Sequence, residues 1–385
     1  MADDGRPLGG GAGALDAYRR YFREGPASVP GLAGFAPVVV RVMREDSPEG
    51  EVVKFLTRVR GVQGPEPSGH GRTIPAPPAA TLAQLQELAA ESVLIPMVNS
   101  RGAATYTLCV SSQVGCAMGC TFCETGQMGL LRSLAPQEIV GQWVAAAHGV
   151  GVRPKNIVFM GMGEPMDNFE SVVQAIAVLK DHSGPCVPIG QITVSTVGHV
   201  EGIRRLAGQA RQHGWHRLGL ALSLNAPNDA DRGAIMPINR RWPLREVQAA
   251  ILDWPRYAGN KVCIEYVLIP GVNDSHEHAR QVAEFMRPFG LCDSGRIGGQ
   301  DLFGMLNLIP YNPRRNSPWP APTEEQVGQF LNWLLDLKVF AKRRRTKGRR
   351  MMGACGQLGS EHIRKRRVVN PAGAGVAARP PEDAQ

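Results

Sequence analysis

The feature that most constrains the fold of this chain is a strict alternation of short apolar runs with longer amphipathic segments between Thr105 and Ala341. Short β-branched or apolar runs are typical of buried strands, and apolar residues at helical spacing indicate helices. The pattern predicts strands near 105–112, 156–161, 191–196, 218–224, 261–269 and 305–309. It predicts helices near 136–149, 169–182, 200–213, 244–257, 275–287 and 323–337. Six strand-helix units in this order predict an α/β fold, in which a parallel sheet with helices outside curls into an incomplete (β/α)6 barrel.

The rest of the chain flanks this barrel, and the sequence divides into three parts. Residues 1–85 are predicted to form an N-terminal accessory segment, partly disordered, with a Pro/Gly-rich insertion at 61–80. Residues 86–340 are the predicted barrel, and residues 341–385 are a basic segment that carries Cys355 and ends in a disordered tail. No apolar run approaches the roughly 18 residues of a membrane span, and the acidic, glycine-rich N-terminus is unlike a signal peptide. We therefore expect a cytoplasmic protein with no membrane partner.

The positive charge of the chain is concentrated in one C-terminal strip. Residues 340–368 contain eleven Lys or Arg residues and one acid, Glu361, which gives the strip a charge of +10. Because the whole chain carries +9, everything outside the strip sums to −1. Such a strip suits a polyanion, most simply nucleic acid phosphate, although a solvated tail or a targeting signal would have the same composition.

Three of the eight cysteines lie on one short segment after the first predicted strand. Cys116, Cys120 and Cys123 are separated by three and two residues. Thiolates are soft ligands that select zinc or iron-sulfur clusters. A structural zinc ion needs four ligands, whereas a cubane held by three cysteines leaves one iron free for substrate. Three thiols therefore favour a cluster, while a zinc site remains open if Cys109 or Cys355 supplies a fourth ligand.

Polar residues follow several of the other predicted strands, where parallel barrels gather their functional groups. Glu164, in the turn GMGEP at 161–165, can accept a hydrogen bond from an ammonium group. Ser195, Ser223 and Asn312 could bind polar groups of the same ligand, or they could simply form turns.

Cys355 lies between small residues directly after the basic run. We expect its thiol to be sterically open, and we expect Arg349 and Arg350 to lower its pKa and favour the nucleophilic thiolate. An exposed thiol in a tail is the alternative.

Taken together and in order, these motifs resemble the RlmN/Cfr family of radical S-adenosylmethionine (SAM) RNA methyltransferases. The resemblance covers about 85–360. The matching stretches are ESVLIP (91–96), TLCVSSQVGCAMGCTFC (107–123), EIVGQW (138–143), GMGEP (161–165), ITVSTVG (192–198), LALSLNAPND (220–229), EYVLIPGVND (265–274), LNLIPYNP (306–313) and ACGQL (354–358).

The resemblance implies a radical SAM partial barrel with one [4Fe-4S] cluster held by Cys116, Cys120 and Cys123, and an exchangeable SAM. One SAM would methylate Cys355, and a second would yield a 5'-deoxyadenosyl radical that removes hydrogen from the methylated cysteine. The resulting methylene radical would add to an adenine ring carbon, which ordinary methyl transfer cannot reach. Cys109 would then resolve the covalent protein-RNA intermediate through a transient disulfide with Cys355. Other implied roles are proton acceptor, for Glu91, and cofactor contact, for Gly163, Glu164, Ser195, Ser223, Leu224, Asn225 and Asn312.

The implied substrate is adenosine in 23S rRNA, methylated at carbon 2, with tRNA as a second candidate substrate. Carbon 8 is the alternative within the family, a non-catalytic zinc RNA-binding module is a second class, and a radical enzyme for a small molecule is a third. A monomer served by an electron donor such as flavodoxin or ferredoxin is expected. Three departures concern the resemblance: Asn225 stands where relatives commonly have His, Arg349 and Arg350 stand where they usually have acids, and the N-terminal RNA-binding region is shortened.

Overall fold

The fold is known from a computed structural model, which describes residues 11–59, 88–98, 102, 104–257, 262–290 and 304–359. The predicted insertion at 61–80 and the predicted disordered tail from 360 onward lie outside the described residues. None of the helices in these ranges is both long and apolar enough to cross a membrane.

A single large sheet organises the described residues. Its strands lie in the order β1-β2-β3-β4-β7-β8-β9-β10-β11-β12. Strands β1 to β4 pair antiparallel, and β4 onward pair parallel. The strands are β1 (Val39–Ser47), β2 (Gly50–Arg58), β3 (Ala89–Val98), β4 (Ala104–Cys109), β7 (Asn156–Phe159), β8 (Ile192–Thr196), β9 (Gly219–Ser223), β10 (Val262–Leu268), β11 (Gly304–Pro310) and β12 (Ala341–Arg343). A separate hairpin pairs β5 (Gln113–Gly115) with β6 (Leu130–Ser133).

Most of the helices connect the parallel strands, as the alternation predicts, whereas the first precedes β1 and the second lies between β5 and β6. They are α1 (Gly11–Arg23), α2 (Glu124–Met128), α3 (Pro136–Val144), α4 (Phe169–Lys180), α5 (Val200–Ala210), α6 (Asp229–Ile235), α7 (Leu244–Leu252), α8 (His276–Met286) and α9 (Glu324–Asp336). A π-helical stretch, Ala145–Val150, continues α3. All six predicted strands and all six predicted helices of the barrel are confirmed, with ends that differ by a few residues.

The parallel part of the sheet is curled. Strands β7 and β10 are separated by two others, so they would lie about 14 Å apart in a flat sheet. Yet Arg344, directly after β12, reaches Met160 beyond β7 (3.9 Å) and Glu265 on β10 (2.9 Å) with the same guanidinium nitrogen. Side chains on the inner face therefore converge, which confirms the α/β fold with an incomplete barrel.

The structure adds strands at both margins of the predicted barrel. Strands β1 and β2 precede residue 85 and join β3 of the barrel region, so the sheet is continuous across that boundary. At the other margin β12 pairs with β11, on either side of residue 340. The division of the chain into three domains stays a prediction, but one sheet runs through all three parts.

Candidate active site

The three clustered cysteines lie on a loop that the β5–β6 hairpin holds in place. At its base Gly115 has a φ of +77°, and a Cβ there would lie 1.9 Å from the Gly129 carbonyl oxygen. The loop closes through the Cys116 N–H, which donates to that carbonyl at 3.0 Å. Cys116, Cys120 and Cys123 all line one cavity at the carboxyl ends of the parallel strands. The sequence prediction of their common location is thus confirmed by the geometry.

The surroundings of these thiols disfavour free thiolates. Burial raises the pKa of Cys116, Cys120 and Cys123, and the neighbouring thiols raise those of Cys116 and Cys120 further. A bound metal group supplies the positive charge that such thiolates need. Within the described ranges, no three His, Cys, Asp or Glu side chains converge as ligands of one metal ion. A cluster does not need such convergence, because each cysteine binds a different iron. The soft three-thiol donor set therefore fits an iron-sulfur cluster.

The strand ends supply the opposite wall of the cavity. The predicted residues that line it, besides the three cysteines, are Gly163, Glu164, Ser195, Ser223, Asn225 and Cys355. Glu91, Cys109, Leu224 and Asn312 are not among its lining residues. Five of the seven predicted cofactor contacts thus line one space, whereas Leu224 and Asn312, like the catalytic candidates Glu91 and Cys109, are outside its lining.

Glu164 is a buried carboxylate held by backbone donors. Its two oxygens accept hydrogen bonds from the N–H groups of Met166 (3.1 Å) and Val197 (2.9 Å). Burial raises its pKa to about 7, and the hydrogen bonds only partly oppose this. A carboxylate in this state gains from a nearby cation, as the predicted contact with an ammonium group requires.

Asn225 connects two neighbouring strands at the cavity. Its φ is +57°, a left-handed conformation that asparagine tolerates better than most residues. Its side-chain oxygen accepts from the Val267 N–H at 3.0 Å, and its amide nitrogen lies 3.5 Å from the Met236 sulfur. The side chain therefore ties the end of β9 to β10, while the residue still lines the cavity.

A buried arginine that the sequence analysis missed fixes the neighbouring strand ends. Arg232 is fully buried and donates to the carbonyls of Val197 (2.5 Å), Ser223 (3.2 Å) and Leu224 (3.0 Å). The Leu224 side chain is itself fully buried, and its carbonyl is engaged by Arg232. No local sequence signal distinguishes Arg232 from a surface residue of α6.

Cys355 lines the cavity wall, and Cys109 lies close to it at the end of β4. Burial raises the pKa of Cys109 to about 12, and the Cys355 thiol adds to that increase. Burial also raises the pKa of Cys355, and Arg344 is the cation that opposes this. The expectation that Arg349 and Arg350 lower this pKa is wrong, because the pKa is raised and the cation that acts on the thiol is Arg344, although Cys355 itself is exposed.

A buried ion pair holds the loop that carries Cys355. Lys54 on β2 lies 2.8 Å from Glu91 on β3, and their side chains are 4% and 9% exposed. Lys54 also donates to the Met352 carbonyl at 2.9 Å, and Glu91 accepts from the Gly359 N–H at 3.0 Å. The ion pair thus hydrogen-bonds the loop on both sides of Cys355. Glu91 contacts this loop and is not among the residues that line the cavity.

The loop that carries the three clustered cysteines also forms hydrogen bonds with the Cys355 loop. Directly after Cys123, the Glu124 N–H donates to the Gly356 carbonyl at 2.7 Å, and the Thr125 hydroxyl donates to the Leu358 carbonyl at 2.5 Å. Arg315, beyond β11, bridges the Glu124 carboxylate (3.2 Å) and the Gly359 carbonyl (3.1 Å). The three-thiol loop and the Cys355 loop therefore form one hydrogen-bonded unit.

Asn312 connects this unit to the basic strip. Its amide nitrogen lies 3.4 Å from the Cys355 carbonyl, and its oxygen accepts two hydrogen bonds from Arg349, at 3.2 and 3.1 Å. Asn312 was predicted to contact the cofactor. It contacts the backbone of Cys355, which lines the cavity, and its Arg349 partner was not expected.

Comparison with known proteins agrees with this geometry. Residues 110–283 match the Radical SAM superfamily. The chain is 42% identical over 283 residues to the probable dual-specificity RNA methyltransferase RlmN 1 of Protochlamydia amoebophila, covering 74% of this chain and 73% of that protein. It is 41% identical to the dual-specificity RNA methyltransferase RlmN of Syntrophotalea carbinolica, over 70% of this chain and 66% of that one.

A solved structure has the same architecture. The crystal structure of a radical SAM methyltransferase from Sphaerobacter thermophilus superposes with a TM-score of 0.70 at 33% identity, covering 89% of this chain and 92% of that chain. These relatives carry the predicted activity in their names, and the site described above has the cysteine loop and strand-end residues that the prediction required. The chain belongs to the RlmN family of radical SAM RNA methyltransferases.

Proposed function

We propose that this enzyme methylates carbon 2 of adenosine in 23S rRNA, with tRNA as a second substrate, through a methylated Cys355. The observation that carries the proposal is the hydrogen-bonded unit of the cysteine loop and the Cys355 loop, whose thiols line one cavity. A thiol that must first accept a methyl group and then lose a hydrogen atom has to face the cofactor space in both steps. Cys355 meets this requirement because it lines the same cavity as Glu164 and the three cysteines.

Cys116, Cys120 and Cys123 would hold one [4Fe-4S] cluster, and SAM would exchange in the space between the cluster and the strand ends. When bound and reduced, the cluster would supply the electron for the reductive cleavage of SAM. Glu164 would accept hydrogen bonds from the SAM amino group. The other proposed cofactor contacts are Gly163, Ser195, Ser223, the backbone of Leu224, Asn225 and Asn312.

Side chains of the protein would carry out the other steps, which are methyl acceptance, proton acceptance and release of the RNA. Cys355 must be a thiolate to attack the SAM methyl group, and Arg344 is the cation that lowers the cost of that charge. After the methylene carbon has bonded to the adenine, the radical adduct would lose one electron, for which the oxidised cluster would be the acceptor, and Glu91 would accept the ring proton once the loop has opened its contact with Gly359. The Cys109 thiolate would then attack the Cys355 sulfur, and the bond between that sulfur and the methylene carbon would break with its electron pair on the carbon. A proton would convert this carbon into the methyl group of the released RNA, and two electrons would reduce the disulfide that remains.

The decisive experiment follows the methyl group. Reduced enzyme is incubated with methyl-labelled SAM and unmodified 23S rRNA, and the label is expected first on a Cys355 peptide and then on the RNA. Mass spectrometry of the digested RNA should give 2-methyladenosine. Finding 8-methyladenosine would move the reaction to the other ring carbon, and label on the RNA from a Cys355→Ala variant would refute the cysteine intermediate.

We further propose that the enzyme is a cytoplasmic monomer reduced by flavodoxin or ferredoxin. Light scattering of the anaerobically purified protein tests the oligomeric state. Turnover with each reduced donor in place of dithionite tests the electron source.

A further inference from the structure

The basic C-terminal strip is less available to a polyanion than its charge implies. Four of its cations form ion pairs with carboxylates: Arg343 with Glu324 (2.6 Å), Arg344 with Glu265 (2.9 Å), and Arg345 and Lys347 with Glu49 (3.0 and 3.4 Å). Of the strip's cations that the structure describes, Lys342, Arg349 and Arg350 have no carboxylate partner among described residues. Four of the seven cations that the structure describes in this strip are therefore paired, and two of the other three, Arg349 and Arg350, are adjacent in sequence.

Arg349 and Arg350 occupy a tight turn beside Cys355. The Gly353 N–H donates to the Gly348 carbonyl at 2.8 Å, and the Met352 N–H donates to the Arg349 carbonyl at 3.2 Å. Glu45 on β1 accepts from the Arg350 N–H at 3.0 Å, which fixes the turn from outside. Both arginines are exposed. The backbone that presents them is therefore held on several sides, so little ordering is needed on binding.

The Arg349 side chain is also oriented before any ligand arrives. Two of its N–H groups donate to the Asn312 oxygen, and a guanidinium has five, so three remain for an acceptor. Asn312 in turn touches the Cys355 carbonyl. The free donors of Arg349 thus lie close to the loop that carries Cys355.

We propose that Arg349 and Arg350 form a phosphate-binding site that holds the RNA backbone next to the target nucleotide. This inference rests on the proposed function, because it assumes an RNA substrate. Two adjacent guanidinium groups with free donors match the geometry and charge of phosphodiester oxygens. Phosphate contacts carry no sequence information, but they fix the register of the RNA relative to Cys355.

The test measures how RNA affinity depends on salt for the full-length enzyme with its cluster. Binding of a fluorescent 23S rRNA fragment is titrated over a series of salt concentrations for wild type, Arg349→Gln, Arg350→Gln, Arg349→Lys and Arg345→Gln. Each lost phosphate contact should reduce the slope of log affinity against log salt by about 0.7 to 0.9. We expect this reduction in both Gln variants at 349 and 350. Arg349→Lys should keep the wild-type slope, since it keeps the charge.

Arg345→Gln is the matched control, because Arg345 is exposed in the same strip but paired with Glu49. Unchanged slopes in both Gln variants, or an equal reduction in Arg345→Gln, would overturn the proposed site. If Arg349 served only to orient Asn312, Arg349→Lys and Arg349→Gln would instead share a raised KM for SAM with no change in slope. Failure of the proposed function is separate: the wild-type enzyme would then place no methyl group on rRNA at any salt concentration.

Discussion

Replacing Lys54 with methionine should release the loop that carries Cys355. The Lys54 and Glu91 side chains are 4% and 9% exposed, so the substitution leaves a carboxylate buried without its counterion. Removing one partner of such a pair costs about 3–5 kcal/mol. The cheapest way to hydrate the Glu91 carboxylate is to open the segment between Met352 and Gly359, whose contacts with the pair are lost or weakened. Local opening should therefore become at least about a hundredfold more frequent, since 1.4 kcal/mol is a factor of ten.

Hydrogen exchange followed by mass spectrometry measures this opening directly in peptides that cover 348–359. Arg44→Met is the matched control, because Arg44 on β1 pairs with Glu51 on β2, the strand that also carries Lys54, but the side chains are 49% and 37% exposed. An exposed pair of this kind contributes less than about 1 kcal/mol. Equal exchange in the two variants would refute the clamp, and so would faster exchange across the whole protein without a larger effect at 348–359. Replacing both members of the buried pair with apolar residues should recover part of the lost protection.

Three further predictions concern Glu164, Cys109 and Gly163. Because burial raises the pKa of Glu164 to about 7, affinity for SAM measured by calorimetry should fall as the pH is lowered from about 8 to about 6, and Glu164→Gln should bind weakly with no such dependence. A pH-independent wild type would contradict the ammonium contact. Cys109→Ala should accumulate a covalent protein-RNA adduct on denaturing gels that Cys355→Ala lacks, whereas free methylated RNA from Cys109→Ala would exclude the disulfide step. Gly163→Ala should cost more than about 1 kcal/mol in urea denaturation, because its φ is +98° and the new Cβ would lie 2.6 Å from the Gln113 Cβ. The control Gly208→Ala, in a helix with open space around the new methyl group, should be neutral or stabilising, and equal destabilisation of both would remove the steric argument.

The barrel was predictable because its parallel strands carry runs rich in buried apolar residues. Ile192, Val194, Leu220, Leu222 and other core residues of the parallel strands show almost no exposed surface, and such runs stand out in the sequence. Strands β1 and β2 were missed because their support is not local. β2 joins the sheet by pairing with β3 across the insertion, and β1 is an edge strand with several exposed residues. Strand pairing over that distance leaves no mark in a short window of sequence.

The site, like the fold, has residues that the sequence predicted and residues that it did not. The three cysteines were found because their spacing on one loop encodes the ligand set. Lys54, Arg344 and Arg315 were missed because each acts through contacts far away in the chain, such as the bond from Lys54 to the Met352 carbonyl, 298 residues later. The expected effect of Arg349 on the Cys355 pKa was wrong for the complementary reason: proximity in sequence did not predict which way the side chain points.

The antiparallel strands at the N-terminal margin therefore have a role beyond extending the sheet. They supply Lys54 and Glu91 beneath the Cys355 loop, and Glu45 and Glu49 against the basic strip that leads into it. The parallel barrel contributes contacts to that segment from the cysteine loop, Asn312, Pro313 and Arg315. In the proposed mechanism Cys355 is methylated, converted to a radical and finally attacked by a second thiol, so it would need one defined position in the first two steps and freedom in the third. A clamp built from a few polar contacts on each side can provide both, because each contact is individually weak enough to open while the set together holds the loop closed.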